Sequence, residues 1–383
     1  MRAMHPIIID CVHRLDNYLE TKAMTGGDVE MKETMGSLTI DAIASCAFGT
    51  KIDTYNDHKK TNEFLLYSQK SLHLKLWRCL VFGALYAISP KLLKWTGFQF
   101  VDPSSQAFFA SLIQSIVAKR KSEKVRQRDY LQLLIDAQNR MNAHNLKDAE
   151  IHDLNEDIYG KTESTETSSS PKSKSTGSIT DTDILATSYL FITAAYETTS
   201  TSLSLLFHSL AVNEKCQQRL YEEVSRLDGH YDYESVSQMP YLEACIAETL
   251  RLYNPVPGTP RLAAQEYTIP DMGLTIQKGM LIMFDIQSLH HNPEYYPNPD
   301  RWDPERFMPE NRDQLTPYTY MPFGTGPRNC VGMRFALMEA KTAVAHLVHK
   351  YRFRTTPKTT VPPIIRKHGF VLNTEDIHIG VEL

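Results

Sequence analysis

The chain is 383 residues long, 42% hydrophobic and 22% charged, an ordinary globular composition with ample chain for a large core and a buried cofactor. Its net charge of -4 argues against a nucleic-acid partner and against a polybasic membrane-binding face. The six cysteines (Cys11, Cys46, Cys79, Cys216, Cys245 and Cys330) show neither CxxC pairs nor zinc-finger spacing, so free thiols in a reduced compartment are expected rather than a disulfide framework.

No signal peptide opens the sequence, and its longest apolar run, residues 80–88, is too short to span a bilayer. As given, the chain reads as soluble. Helical spacing begins almost at once, with Ile7, Ile8, Val12, Leu15 and Leu19 over residues 4–21. Gly26-Gly27 breaks this helix. A second is predicted from Met31 to Phe48-Gly49, and others over 62–71, 80–94, 103–126 and 130–140. Residues 68–80 are mixed and support no assignment. Residues 160–180 form the one low-complexity segment, rich in Ser, Thr and Lys, which reads as a mobile surface linker. A long apolar helix follows, opened by Thr180 or Asp181 as N-cap, then helices over 214–227 and 241–252. Past Pro255 the texture changes to short strands and turns, such as 267–269 and 281–284. A last helix runs to about Tyr351, and the tail reads as strands joined by proline turns. One mostly α domain spanning 1–383, with a small late β portion, is expected.

The most informative stretch is Met321-Pro322-Phe323-Gly324-Thr325-Gly326-Pro327-Arg328-Asn329-Cys330-Val331-Gly332. Gly324, Gly326 and Pro327 mark a tight turn. Gly332 removes a side chain where something bulky must approach the backbone. Cys330 then lies at or just before a helix N-terminus, where the dipole and unpaired N–H groups stabilise a thiolate and bond to its sulfur. On the cysteine alone, a nucleophile, a redox thiol, a metal ligand and a small buried hydrophobe all stay open. Upstream, Glu197-Thr198 places an acid and a hydroxyl inside the long apolar helix, a pairing suited to moving protons into a dry site. An interior Thr also commonly bonds back to the preceding turn. Glu248 and Arg251 sit three apart on one helical face and can pair. His290 and His291 lack ligand spacing, and surface or hydrogen-bonding roles suit them better.

The pattern Phe-x-x-Gly-x-Arg-x-Cys-x-Gly, at Phe323, Gly326, Arg328, Cys330 and Gly332, resembles the haem-thiolate loop of the cytochrome P-450 monooxygenases. The resemblance implies haem b with Cys330 as axial iron ligand and Arg328 beside a propionate. The stretch 194–199 looks like the family's oxygen-activation motif, implying that Thr198 holds dioxygen and its water while Glu197 orients the relay. Ala195 departs from the usual Gly and narrows that groove. Glu248, Arg251 and, from Pro304-Glu305-Arg306-Phe307, Arg306 match the family's structural triad. Arg261 falls where an arginine meets a propionate, and Thr193, Ala194, Val256, Thr259 and Val371 are the expected pocket lining.

These marks stand in the family's order and are similar to the animal drug- and steroid-oxidising branch, with thromboxane synthase nearby. The implied activity is oxygen insertion from O2 into a steroid, fatty acid or xenobiotic. Electrons would come from NADPH through a reductase, with cytochrome b5 as a second donor, at the cytoplasmic face of the endoplasmic reticulum membrane. A lipid-peroxide isomerase and a catalytically inactive fragment are the alternatives. The anchor helix, first sheet strands and early helices of that branch are not found, so the expected fold is the P-450 fold truncated at its N-terminus.

Overall fold

The computed structural model describes residues 1–52, 54–55, 63–72, 76–99, 101–123, 127, 129–142, 179–366 and 371–383. The predicted linker at 160–180 lies outside these, save for its last two residues. Ile8, Cys11, Val12, Leu15 and Leu19 recur at three- and four-residue spacing and form the buried face of α1 (His5–Thr25). Gly26, at φ +65, ends it by turning its N–H back onto the last helical carbonyls.

Strand β1 (Asp28–Glu30) leads into α2 (Met31–Phe48), whose first turn is capped by the Glu30 carboxylate. Almost every residue of α2 is buried, Thr34, Ser37, Thr39, Asp41 and Ser45 among them, so the helix is enclosed by its neighbours on all sides. It stops at Gly49, where φ is +60 and an added Cβ would lie 1.7 Å from Gln127 Oε1. Helices α3 (Glu63–Leu72), α4 (Leu76–Ile88), α5 (Pro90–Thr96), α6 (Pro103–Glu123) and α7 (Tyr130–Asn142) follow. The single helix predicted over 80–94 is in fact two, because Pro90 has no N–H and disfavours helix at Ser89. A buried Arg120–Asp129 pair (2.5 Å), with Arg120 also donating to the Phe48 carbonyl (2.8 Å), ties α6 and the start of α7 to the end of α2.

Helix α8 (Asp181–Val212) opens with a capping box between Thr180 and Asp183 and packs along α2. Contact is close there: a Cβ at Gly36 would meet the Tyr196 ring at 3.2 Å. Short α9 (Glu214–Val224) and α10 (Tyr233–Ser237) lead to α11 (Pro240–Leu252). Two apolar clusters share α2 and α8. One runs to α1, α9 and α11, and the other to α3, α6 and α7.

The strands form small antiparallel sheets. β2 (Gly258–Leu262) pairs with β5 (Leu281–Asp285), and β3 (Tyr267–Ile269) with β4 (Leu274–Ile276). Helix α12 (Ile286–His290) leaves β5, and the last helix is α13 (Met333–Lys350). Of the tail strands β6 (Arg352–Arg354), β7 (Ile365–Arg366), β8 (Asn373–Thr374) and β9 (His378–Glu382), β9 pairs with both β6 and β1. The β structure is therefore not confined to the late chain as predicted. Residues 28–30 are too short to show a strand signal, and only their partner β9 makes them one.

Candidate active site

The cysteine loop is held by its own backbone. The Cys330 N–H donates to the Phe323 carbonyl (2.8 Å), Gly324 to Met321 (3.0 Å) and Asn329 to Gly326 (3.0 Å). Gly324 (φ +71) and Gly326 (φ +78) occupy the left-handed region that a side chain would strain. Gly332 does not: its φ is -85 and it serves as the N-cap of α13. A Cβ there would have only Cys330 Sγ within 4 Å, at 3.9 Å, which leaves room for a bulky group.

Cys330 is exposed, as is Val331 beside it (60%). Among the described residues its sulfur accepts no hydrogen bond, contrary to the expectation that the helix start would supply one. The Met333 N–H turns instead to the Cys330 carbonyl (3.4 Å). Phe323 is half-buried against the first cluster, and Phe335, one turn into α13, touches both clusters. Arg328 is exposed and Arg261 half-exposed. Among the described residues Arg261 bonds only along its own strand, to Thr259 Oγ1 (2.8 Å) and the Pro260 carbonyl (2.9 Å). Neither arginine has a carboxylate partner among the described residues.

On α8, Leu190 (60% exposed) and Ala194 form an open stripe that continues to Thr198. Thr198 Oγ1 donates to the Ala194 carbonyl (2.8 Å). Glu197 points elsewhere. It is buried and faces α2, where the Lys32 ammonium meets its Oε1 at 2.8 Å and also reaches Ser200 (3.1 Å) and Thr201. Burial pulls the Lys32 pKa down, and Glu197 pushes it back up. Lys32 was not foreseen, because a lone lysine in a helical first turn reads as solvated.

Glu248 and Arg251 are both wholly buried and joined by two bonds (2.7 and 2.8 Å). Burial raises the Glu248 pKa, against the opposing pull of Arg251. Arg306 approaches Glu248 more loosely, at 3.5 Å, while the Asp303 N–H donates to it at 2.8 Å. Arg251 also donates to the carbonyls of His290, Pro299 and Arg301. His290 is fully buried and hydrogen-bonded rather than at the surface. Of the predicted pocket residues, Val256 and Val371 have neighbours that are joined, the Leu372 N–H donating to the Pro255 carbonyl (2.8 Å). Thr193 and Ala194 lie on α8, and Thr259 on β2.

A helical frame presenting an exposed cysteine, with Arg328 on the same loop and the Phe323 ring beside it, fits a flat anionic macrocycle held through sulfur. The cytochrome P450 family model matches residues 1–381, and the chain belongs to that family, whose members are haem-thiolate monooxygenases. Similar proteins include cytochrome P450 9e2 of Blattella germanica, 33% identical over 98% of this chain and 70% of that protein. Cytochrome P450 6k1 of the same insect is 32% identical, over 98% and 69%. Cytochrome P450 3A1 of Rattus norvegicus is 32% identical, over 100% and 70%. The chain spans about seven-tenths of the length of these relatives.

Proposed function

We propose that the chain inserts oxygen from O2 into a lipophilic small molecule, a steroid, fatty acid or xenobiotic. NADPH would supply electrons through a flavoprotein reductase, with cytochrome b5 as an accessory donor. The carrying observation is the exposed Cys330 sulfur on a loop pinned by its own backbone, with Arg328 on that loop and no carboxylate partner for it among the described residues. Haem held there through the thiolate would supply oxygen activation. Arg328 and Arg261 would neutralise its two carboxylates, and Phe323 with Gly326 and Gly332 would frame its face. Thr198 would hold a proton at Oγ1, exchanging its bond to the Ala194 carbonyl for one to a bound group. Glu197 would supply the neighbouring acid, parked against Lys32. Glu248, Arg251 and Arg306 would hold the frame, and Thr193, Ala194, Val256, Thr259 and Val371 would border the substrate.

The test is a carbon monoxide difference spectrum of the reduced protein, with Cys330→Ser alongside. A strongly red-shifted Soret band abolished by the substitution supports the reading, whereas no haem signal supports the inactive-fragment alternative. Turnover without NADPH would point to the isomerase.

We further propose that the exposed apolar surface of α4 and α5 rests on the endoplasmic reticulum membrane. Among the described residues no helix is long and apolar enough to cross a membrane. Trp77 (53%), Leu80 (64%), Ile88 (73%) and Trp95 (84%) are nevertheless exposed on α4 and α5, a composition that lies at lipid interfaces. Replacing Trp77, Leu80 and Trp95 by Ser should cut sedimentation with phosphatidylcholine vesicles by about tenfold or more. Unchanged sedimentation would place contact elsewhere.

A further inference from the structure

Among the described residues the triad side chains make no hydrogen bond to the cysteine loop itself. His290, at the end of α12, bonds to both. Its carbonyl accepts from Arg251 Nη1 (2.8 Å), and its ring Nε2 lies 3.0 Å from the Met321 N–H. A backbone N–H can only donate, so Nε2 is a bare acceptor and the ring proton sits on Nδ1. Nδ1 itself is buried with no hydrogen-bond partner among the described residues. The ring is fully buried, stacked on Tyr320 (centroids 5.6 Å, planes 22° apart) and edge-on to Tyr296 (6.5 Å).

From Met321 the bonding continues into the loop. The Met321 carbonyl accepts from Gly324, and the Phe323 carbonyl accepts from Cys330. Glu248, Arg251, His290, Met321, Phe323 and Cys330 thus form one chain of buried or backbone contacts, in which the histidine joins two distant segments, next to the bond from the Tyr320 hydroxyl to the Ala247 carbonyl of α11 (3.1 Å). We propose that His290 is the positioning residue for the Cys330 sulfur: as a neutral acceptor it anchors the first residue of the ligand loop to the triad. The inference rests on Cys330 being the haem ligand.

The surroundings keep the ring neutral. Burial lowers its pKa to about 4; the backbone hydrogen bond with Arg251 pulls it back up, while the Arg251 charge from α11 and His291 beside it lower it further. Tyr296 and Tyr320 supply only rings, and Glu248 is engaged by Arg251. An imidazolium would place N–H against N–H at Met321 and release the loop.

His290→Gln, His290→Phe and Cys330→Ser, beside the unaltered protein, test this. Gln offers an oxygen acceptor at the same reach and does not titrate, while Phe keeps the ring stacking and removes the acceptor. In the carbon monoxide complex, Gln should keep the red-shifted band, and Phe should raise the share of unshifted band by about tenfold. Hydrogen–deuterium exchange at the Met321 amide, which needs no haem, should quicken by about tenfold in Phe and not in Gln. On acidification the unaltered protein should lose the shifted band at higher pH than the Gln variant.

A shifted band that survives Cys330→Ser overturns the ligand assignment and this inference with it. A band lost in Cys330→Ser but intact in His290→Phe, with Met321 still protected, overturns the inference alone. So does a Gln variant that behaves as Phe. Where Phe does not fold, the acid comparison decides: equal loss in the unaltered protein and in Gln overturns the proposal.

Discussion

Glu339, on the buried face of α13, is 1% exposed, and its Oε1 has no hydrogen-bond partner among the described residues. Desolvation drives its pKa well above the usual carboxylate value, so the fold favours the protonated carboxyl more than the unfolded chain does. Its contribution is therefore lost as pH rises above the unfolded value. Holding the carboxyl toward its protonated form where water would ionise it is a cost that grows as pH rises. Glu339→Gln removes that cost at equal volume. The variant should melt at a higher temperature than the parent, with the gain growing between pH 6 and pH 8. A gain independent of pH, or a loss, would show that the carboxyl is paired and ionised.

Among the elements, α11 depends most on a single side chain. Arg251 is wholly buried and satisfies Glu248 and three carbonyls, those of His290 at the end of α12 and of Pro299 and Arg301 beyond it. Lysine has one nitrogen and no planar fork, so it cannot serve them all. Arg251→Lys should destabilise the fold by about 3–5 kcal/mol, the usual effect of breaking a buried pair. Denaturant unfolding measures this, and a loss below about 1 kcal/mol would mean that the contacts re-form around lysine. Glu248 and Arg251 were legible because three-residue spacing in a helix makes them neighbours whatever the rest of the chain does. The α4–α5 break was legible too, in Pro90, yet the apolar run across it masked that signal.

For the whole molecule, acid acts through buried histidines. His290 is lowered to about 4, and His5, His208 and His346 are lowered as well, in each case chiefly by desolvation. His346 stands between Asp16 and His13 at the α1–α13 contact. A depressed native pKa means that the unfolded chain binds the extra proton. The stabilisation is complete above the unfolded value of about 6.5 and is lost as pH falls toward about 4. The melting temperature should decline steadily from pH 7 to pH 5. His290→Gln should flatten part of that slope, and an unchanged slope would assign the acid sensitivity to the other histidines or to carboxylates.

The sequence by itself determined whatever is encoded by neighbours along the chain. The Cys330 loop is readable from its glycines because turns are set by local backbone freedom. Helices α1, α2, α8 and α13 are readable because their apolar periodicity is local as well. Only the tertiary structure decided the pairs that join remote segments. Lys32 and Ser200 are 168 residues apart in sequence, and His290 and Met321 are 31 apart. β1 becomes a strand only when β9 arrives from the other end of the chain. A hydrogen bond or ion pair across such a gap leaves no periodic trace, because its energy comes from burial that the fold creates.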